Sequence, residues 1–300
     1  MKTTDQPTIL VTGSGGQLGN ELKAVAIDHP GYRFLFPDKA ELPVEDFIAV
    51  ENYFGLHQIA YCINCAAYTA VDKAETEKEK AFLINADAVG NLAAICKQHK
   101  TQLIHISTDY VFDGTAQQPY KETDSTSPIN IYGESKLKGE QLALQHDPSA
   151  IIIRSSWLYS SFGNNFVKTM LRLMKEKESI NVVNDQTGCP TYAADLANTI
   201  MQVIVQLPTC LPDRQAANCQ LPTIFNYANT GTTNWYEFAN TIKAFSGTNC
   251  IIHPIPTTEF VTAAKRPQYS VLDTTKIRDT FNINIPDWKD SLKNCLNLLK

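Results

Sequence analysis

A glycine-rich stretch near the start of the chain restricts the fold more than any other feature. "TILVTGSGGQLGNEL" (8–22) places Gly13, Gly16 and Gly19 between a short apolar run and a helix-forming segment. An apolar run of this length that ends at glycine is typical of a buried parallel strand. Glycine allows a tight turn, close approach of a phosphate to the backbone and close packing of helix on strand. The pattern predicts a strand–turn–helix unit that binds a dinucleotide, although a plain turn can also use such glycines.

The predicted helix begins near Gln17 and would direct unpaired N–H groups at a pyrophosphate. The residues predicted to contact the cofactor here are Gly13, Gly16, Gln17, Leu18 and Gly19. Asp38 follows the next strand-like segment, "YRFLFPD", and could accept hydrogen bonds from the adenosine ribose. A carboxylate there would repel a 2′-phosphate and so favours NADH, whereas Arg33 or Lys39 could offset that repulsion. We expect both NADH and NADPH to be accepted.

A third strand is predicted at "IAYCINCAA" (59–67). The small residues Ala66 and Ala67, with Tyr68, follow it and would let the cofactor lie across the sheet; an ordinary strand end is the alternative. Cys62 and Cys65 form a CxxC pair, but residues three apart in a strand point to opposite faces. We therefore expect two core thiols and neither a metal site nor a redox pair.

Strand-like and helix-like segments alternate through the first half of the chain. "TQLIHIST" and "AIIIRSSW" supply further strands, and "EKEKAFLINADAVGNLAAICKQHK" has apolar residues at helical spacing. Such repetition predicts an α/β fold with a Rossmann-like, doubly wound parallel sheet. The second half is less regular, with helices at 164–178, 191–207, 232–247 and 286–300 and an exposed proline-containing loop at 207–223.

Composition excludes several classes of protein. A net charge of −5 argues against a nucleic-acid-binding protein, and no patch is suited to an anionic membrane. The N-terminus lacks a signal-peptide core, and no run reaches the ~18 apolar residues of a membrane span. The eight cysteines follow no framework spacing, which favours reduced thiols. The cytoplasm is the expected location.

"IYGESKLKGE" (131–140) places Tyr132 four residues before Lys136. On a helix these positions share a face, so both can point to the crevice where a nicotinamide would lie. A phenol stays protonated at neutral pH and can donate a proton to a ketone oxygen during hydride transfer. A nearby ammonium would stabilise the phenolate and lower its pKa. A solvated helix face is the alternative, because this spacing often occurs by chance.

A hydroxyl pair in "HISTDYVFDG" ends the strand that precedes this helix. Adjacent strand residues face opposite ways, so only one of Ser107 and Thr108 should face the crevice. A hydroxyl there could hydrogen-bond a substrate carbonyl and align it, whereas strand-end hydroxyls more often satisfy nearby backbone groups.

Together these motifs resemble the extended short-chain dehydrogenase/reductases. The chain is more similar still to their dTDP-4-dehydrorhamnose reductase family. The stretches that carry this similarity are "VTGSGGQLG", "NCAAYTAVDKAE", "STDYVFDGT", "PINIYGESKLKGE", "RSSWLY", "GNNFVKTM", "NDQTGCPTYAADLA" and "KRPQYSVLDTTKI".

The resemblance implies NADPH- or NADH-dependent reduction of the 4-keto group of dTDP-4-dehydro-L-rhamnose. It maps a catalytic set onto Thr108, Tyr132 and Lys136, with Lys136 also holding the nicotinamide ribose. The substrate contacts that it implies or suggests are Thr108, Asp109, Tyr132, Trp157, Asn164, Asn165 and Arg266. Trp157 could instead be an ordinary core residue and Arg266 a surface charge.

The resemblance also implies a smaller C-terminal substrate-binding lobe. We expect residues 1–156 and roughly 191–228 to form the dinucleotide-binding domain, and roughly 157–190 and 229–300 the sugar-nucleotide-binding lobe. Some members bind magnesium through glutamates at a dimer interface, so a homodimer is allowed. This chain has Ala194 beside Asp195 at that point, and we predict no metal.

One departure and two alternatives remain. "LPVED" has Pro43 where members commonly carry an aspartate, which affects the adenine end. The regulatory subunit of methionine adenosyltransferase resembles these reductases and acts through a partner without reducing a substrate. A sugar-nucleotide epimerase of the extended family would keep its cofactor and return the hydride.

Overall fold

The computed structural model describes residues 6–207 and 223–299. Its centre is a parallel sheet of six strands in the order β2-β1-β3-β4-β5-β10. These strands are β1 (Thr8–Thr12), β2 (Arg33–Leu35), β3 (Tyr61–Asn64), β4 (Gln102–Thr108), β5 (Ile151–Ser155) and β10 (Ile224–Tyr227). The direction of winding changes between β1 and β3, so a crevice opens there at the carboxyl ends of the strands. The predicted doubly wound α/β fold is confirmed.

Side chains of the sheet alternate between two apolar layers, because successive strand residues face opposite ways. Ile9 and Val11 of β1 join the layer under α1 and α8, while Leu10 joins the layer under α2, α5 and α6. The helices that cover the sheet are α1 (Gln17–Val25), α2 (Phe47–Leu56), α5 (Ala88–Gln98), α6 (Ile131–His146), α8 (Ala193–Gln206) and α10 (Thr275–Phe281). The short helices α3 (Val71–Ala74) and α4 (Lys78–Phe82) pack against α6. The sheet is thus buried on both faces.

A separate apolar core lies beyond the carboxyl ends of the strands. It packs α7 (Phe166–Glu176), α9 (Trp235–Ser246) and α11 (Trp288–Asn297) against the parallel pair β7 (Ser179–Val183) and β12 (Ile251–Ile255). Short pairs join this core to the rest: β6 (Leu158–Tyr159) with β9 (Thr191–Tyr192), and β8 (Thr187–Gly188) with β11 (Thr233–Asn234). The exact domain limits expected from the sequence stay a prediction.

Local expectations are met with small differences. The helix expected over 77–100 is a series, α4 and α5 joined by a π-helical turn at Leu83–Asp87. Cys62 belongs to one apolar layer and Cys65 packs on the other, as strand alternation predicted. The loop expected at 207–223 lies almost wholly outside the described residues. Within the described ranges, no helix has the length and apolar character that crossing a bilayer requires.

Candidate active site

A cleft of about 840 Å³ opens where the strand order reverses. We use "the cleft" for the space between the glycine loop (13–19), the segment after β3 (65–67), the start of α6 and the segment after β5 (155–158). Its volume lies within the range of cofactor and ligand sites.

The glycine loop approaches the segment after β3 too closely for a side chain. Gly13 has a φ of +65°, and a Cβ there would lie 2.6 Å from the Ala66 nitrogen. Gly16 precedes α1 as its N-cap and offers no side chain to cap the first turn. The N–H groups of that turn therefore remain available, and Gln17, Leu18 and Gly19 line the cleft beside them. The loop fits a pyrophosphate.

Asp38 lies at the far end of the cleft, three residues beyond β2. Its Oδ1 accepts hydrogen bonds from the backbone N–H groups of Ala40 and Glu41, at 2.7 and 2.9 Å. Lys39 also lines the cleft, and its Nζ lies 2.8 Å from Glu45 Oε1. Arg33 does not line the cleft but a second depression beside Phe54 and His99. Of the two cations considered for a 2′-phosphate, the structure brings only Lys39 to the site.

The segment after β3 divides into two parts. Ala66 and Ala67 line the cleft as expected. Tyr68 is not among the residues that line the cleft; it is buried in a cluster with Ala74 and Ala81, against which Tyr132 packs. Asn85 holds the Tyr68 backbone by accepting from its N–H at 2.8 Å and donating to its carbonyl at 3.0 Å. The structure therefore brings the two alanines to the site but not the Tyr68 ring.

Local sequence positions the first turn of α6. Asn130 caps the helix, its Oδ1 accepting from the Gly133 N–H at 2.8 Å. Gly133 packs so tightly that an added Cβ would clash with the Tyr110 carbonyl oxygen. This close approach brings Tyr132 and Lys136 to the cleft from one helix face, as the i, i+4 spacing predicted.

Tyr132 and Thr108 form the centre of the site. Both residues line the cleft, and the Thr108 hydroxyl donates to Asp109 Oδ1 at 2.9 Å. Burial raises the pKa of the Tyr132 phenol to about 12, and the neighbouring Thr108 hydroxyl only partly offsets this. Desolvation sets the net direction of this shift, and the lowering expected from a nearby ammonium stays a prediction. The phenol is fully protonated at neutral pH.

Ser107 and Thr108 both line the cleft, but their hydroxyls bond to different partners. The Ser107 hydroxyl instead donates to Glu140 Oε1 at 2.5 Å. Glu140 is also bound by Arg154, through Nε at 2.9 Å and Nη2 at 2.7 Å, and both charged side chains are buried. The alternation predicted for adjacent strand residues therefore separates the two hydroxyls.

Lys136 is buried below Tyr132. Its Nζ donates to the Ile106 carbonyl oxygen at 2.7 Å and lies 3.3 Å from His105 Nε2. Burial lowers the pKa of this amine to about 8, although Glu140 acts in the opposite direction. Lys136 can therefore exchange a proton near neutral pH.

Asp109 and Trp157 also line the cleft. Burial raises the pKa of the Asp109 carboxyl to about 7, against hydrogen bonds from Thr108 and Ser270. Trp157 has a φ of +48° and stacks on Trp235 with ring centroids 3.5 Å apart. Such a backbone conformation is unusual for a bulky residue, and the stack holds the indole at the cleft.

The other residues predicted to contact the substrate lie in different places. Asn164 and Asn165 line the cleft, and Asn165 Nδ2 donates to Gln17 Oε1 at 2.9 Å while its Oδ1 caps α7. Arg266 is not among the residues that line the cleft; it binds both Asp72 oxygens, at 3.1 and 2.7 Å. The structure thus places Asn165 at a junction with the glycine loop and Arg266 in an ion pair. Their substrate contacts stay predictions.

Comparison with known proteins agrees with this geometry. Residues 7–300 match the family model described as the RmlD substrate binding domain. A dTDP-4-dehydrorhamnose reductase of Aggregatibacter actinomycetemcomitans is 38% identical, over 95% of this chain and 97% of that protein. The chain belongs to the dTDP-4-dehydrorhamnose reductase family.

Solved structures of this family have the same fold. The Clostridium acetobutylicum dTDP-4-dehydrorhamnose reductase is 38% identical with a TM-score of 0.88, covering 97% of this chain and 99% of that one. The Bacillus anthracis enzyme, solved in complex with NADP, is 37% identical with a TM-score of 0.90 and the same coverage.

Two features of this family member escaped the sequence reasoning. His105 and Asn64 lie inside strands, where no motif spacing marks them; His105 is buried against Lys136, and Asn64 is buried against His105. Glu140 and Arg154 form a buried ion pair beside the site; Glu140 is one turn beyond Lys136, which is the only sequence signal. Within the described ranges, no group of three His, Cys, Asp or Glu side chains suits a metal ion. The expectation of no metal stays a prediction.

Proposed function

We propose that this chain is an NADPH- or NADH-dependent reductase that converts the 4-keto group of dTDP-4-dehydro-L-rhamnose to the hydroxyl of dTDP-L-rhamnose. The observation that carries the proposal is the convergence of Thr108, Tyr132 and Lys136 on a cleft that begins at a phosphate-binding loop. Relatives with matching names over nearly the whole chain support the same reaction.

The residues present suit a nicotinamide dinucleotide. The glycine loop and the first turn of α1 would hold the pyrophosphate, and Asp38 would bind the adenosine ribose. Lys39 offers a cation beside Asp38, so we expect both NADPH and NADH to bind. When bound, the reduced cofactor supplies the hydride.

In the proposed mechanism, the Thr108 and Tyr132 hydroxyls hold the substrate ketone oxygen. Negative charge grows on that oxygen as the ketone is reduced, and Tyr132 donates its proton to it. The raised pKa of Tyr132 keeps this proton in place until it is needed. Lys136 binds the nicotinamide ribose and supplies the proton that restores the phenol.

The remaining candidates are assigned to the sugar nucleotide. Trp157 would pack on the apolar face of the deoxysugar, and Asp109 would hydrogen-bond its hydroxyls. Asn164 and Asn165 lie toward the nucleotide end. We place Arg266 in the same region, where its pairing with Asp72 would have to open for it to bind a diphosphate.

The direct test combines the purified chain with each cofactor and a panel of keto sugar nucleotides. We expect stoichiometric oxidation of NADPH and NADH with dTDP-4-dehydro-L-rhamnose, and formation of dTDP-L-rhamnose by NMR. Copurified NAD with no net cofactor consumption would favour an epimerase. Failure to oxidise either cofactor, with tight binding to a methionine adenosyltransferase subunit, would favour the regulatory alternative.

The proposal extends to assembly and location. We expect a cytoplasmic protein and allow a homodimer. Light scattering on the purified chain, whose mass is 33.4 kDa, measures the assembly directly. A monomer mass at assay concentration together with full activity would remove the homodimer from the proposal.

A further inference from the structure

A row of buried polar side chains, each in contact with the next, runs beneath the cleft and ends at Lys136. The Thr12 hydroxyl donates to Asn64 Oδ1 at 2.7 Å, and Asn64 Nδ2 lies 3.0 Å from His105 Nδ1. His105 Nε2 in turn lies 3.3 Å from Lys136 Nζ. All four side chains are nearly inaccessible to solvent, with His105 at 0% exposure. Contacts among these four side chains and the nearby backbone, and not solvent, therefore set where their protons lie.

The orientation of the Asn64 amide follows from one backbone group. Asn64 Oδ1 lies 3.2 Å from the Ala66 nitrogen, and a backbone N–H can only donate. The oxygen of the amide must therefore face Ala66, and the NH₂ group must face His105. The Thr12 hydroxyl, which can donate or accept, adapts by donating to the same oxygen.

This orientation selects one tautomer of His105. Because Asn64 Nδ2 is a donor, His105 Nδ1 must accept, and a neutral ring then carries its proton on Nε2. Burial and the neighbouring Lys136 hold the pKa of His105 well below its usual value, so the ring is neutral. The imidazole thus turns an N–H toward Lys136.

A donor facing Lys136 favours one protonation state of the amine. A neutral amine can donate to the Ile106 carbonyl and accept from His105 Nε2–H, which satisfies both neighbours. An ammonium has no lone pair and would meet the imidazole N–H donor to donor. The other ionisable groups near Lys136 are Cys65 after β3 and Tyr132 and Glu140 on α6; Glu140 and Cys65 favour the charged amine.

We propose that His105 is a positioning residue that, held by Asn64, directs Nε2–H at Lys136 and so makes this amine release its proton more readily. The proposal rests on the proposed reductase function, in which Lys136 restores the proton of Tyr132. The proton leaves Lys136 Nζ, the amine then accepts a hydrogen bond from His105, and water in the cleft returns the proton between turnovers.

The tautomer is measured without activity. NMR of the full chain with ¹⁵N-labelled histidine, assigned by the signals lost in His105→Gln, reports which ring nitrogen is protonated. We expect Nε2–H with unprotonated Nδ1 throughout the pH range in which the protein is folded. A proton on Nδ1, or an imidazolium near neutral pH, would overturn the proposal.

The effect on Lys136 is measured in two variants and a control. His105→Gln can turn an amide oxygen to the amine, and Asn64→Asp forces the proton of His105 onto Nδ1, so both present an acceptor to Lys136. Each should raise the titration midpoint of Lys136, followed by ¹³Cε NMR, by about one pH unit. His253→Gln, at an exposed residue, should leave the midpoint unchanged.

The pH profile separates this role from a structural one. The fall in kcat as pH rises through the midpoint of Lys136 should move upward in both variants by the same amount as the NMR midpoint. If kcat fell equally at every pH, while the NMR midpoint of Lys136 and the pH dependence of kcat stayed unchanged, the role of His105 would be merely structural. That result would overturn the proposal. If neither cofactor is oxidised at any pH, the proposed function fails, while the NMR midpoints still decide the role of His105.

Discussion

At the scale of single residues, burial sets the proton affinities in the cleft. It raises the pKa of Tyr132 to about 12 and that of Asp109 to about 7, and lowers that of Lys136 to about 8. All three shifts disfavour the charged form, as desolvation must. Burial therefore favours the protonated forms of Tyr132 and Asp109. A protonated phenol suits a site that donates a proton to a nascent alkoxide.

Tyr132→Phe tests the proton donor. It removes the hydroxyl and keeps the ring, which packs edge-on against Tyr110 with centroids 5.5 Å apart. We expect kcat to fall by about 10²–10⁴-fold, while NADPH affinity, measured by fluorescence titration, stays at the wild-type value. A Phe variant with wild-type kcat would exclude Tyr132 as the donor.

Asp109→Asn tests the cost of burying a carboxylate. The pKa of Asp109 in the folded chain lies above its unfolded value of about 4, so wild-type stability falls as pH rises from there through about 7. The neutral amide lacks this dependence. We expect the difference in free energy of unfolding between variant and wild type, measured with urea at acid and at mildly alkaline pH, to change by about 4 kcal/mol in favour of the variant. If the free energies of unfolding of variant and wild type differed by the same amount at both pH values, the raised pKa of Asp109 would be contradicted.

At the scale of elements, the placement of α6 decides the site. Asn130 caps the helix, and its first turn rests on the Tyr110 carbonyl through Gly133. Nearly two turns later, Gly139 allows a similar close approach to the π-helical turn at Leu83–Asp87. Two glycines on one helix thus set its distance from the turn that holds Tyr110 and from the π-helical turn, and so help to position Tyr132 at the cleft.

Gly133→Ala tests this placement. The added methyl would meet the Tyr110 carbonyl oxygen, which is backbone and cannot rotate away. We expect a loss of about 1–3 kcal/mol in the free energy of unfolding and a lower kcat, because α6 must shift.

Gly55→Ala is the matched control for that substitution. Gly55 lies in α2 with no atom within 4 Å of an added Cβ. Alanine there should stabilise the chain by up to about 1 kcal/mol and leave kcat unchanged. If the two substitutions changed the free energy of unfolding equally, α6 would tolerate a larger distance from the Tyr110 carbonyl oxygen.

At the scale of the whole molecule, two cores meet across the cleft. Asn165, which caps α7 in the second core, donates to Gln17 of the glycine loop, and the Ser160 hydroxyl donates to the buried Glu21 of α1 at 2.6 Å. Each bond joins residues more than 130 positions apart in the chain. The glycine loop and α1 are therefore braced by segments next to the second core.

Asn165→Ser tests this brace. Serine is as good an N-cap as asparagine but is too short to reach Gln17, so α7 should survive while the bond across the cleft is lost. The loss of this hydrogen bond should destabilise the NADPH-bound state by about 1 kcal/mol. NADPH binding should then be about fivefold weaker. Asn234→Ser, at the cap of α9, is the control and should leave NADPH affinity unchanged. Identical affinities in both variants would show that the bond does not support the cofactor loop.

Strongly patterned elements were predictable, and elements that depend on distant partners were not. The start of α1 directly after the glycine loop follows from local sequence, and so does the end of α9 before Gly247, whose φ is +71°. β12, by contrast, is mostly exposed and contains Pro254, so its sequence does not resemble a strand. It forms because β7 pairs with it, and that partner lies about 70 positions away.

The sequence by itself determined the parallel sheet, the glycine loop and the shared face of Tyr132 and Lys136, because each depends on periodicity or on conformations within a few neighbouring residues. Only the tertiary structure decided which cation accompanies Asp38, that the Tyr68 ring leaves the site, and that Arg266 pairs with Asp72. It also decided the proton affinities of Tyr132 and Lys136. Those depend on desolvation and on partners from separate strands and helices, such as His105, and a linear pattern carries neither quantity.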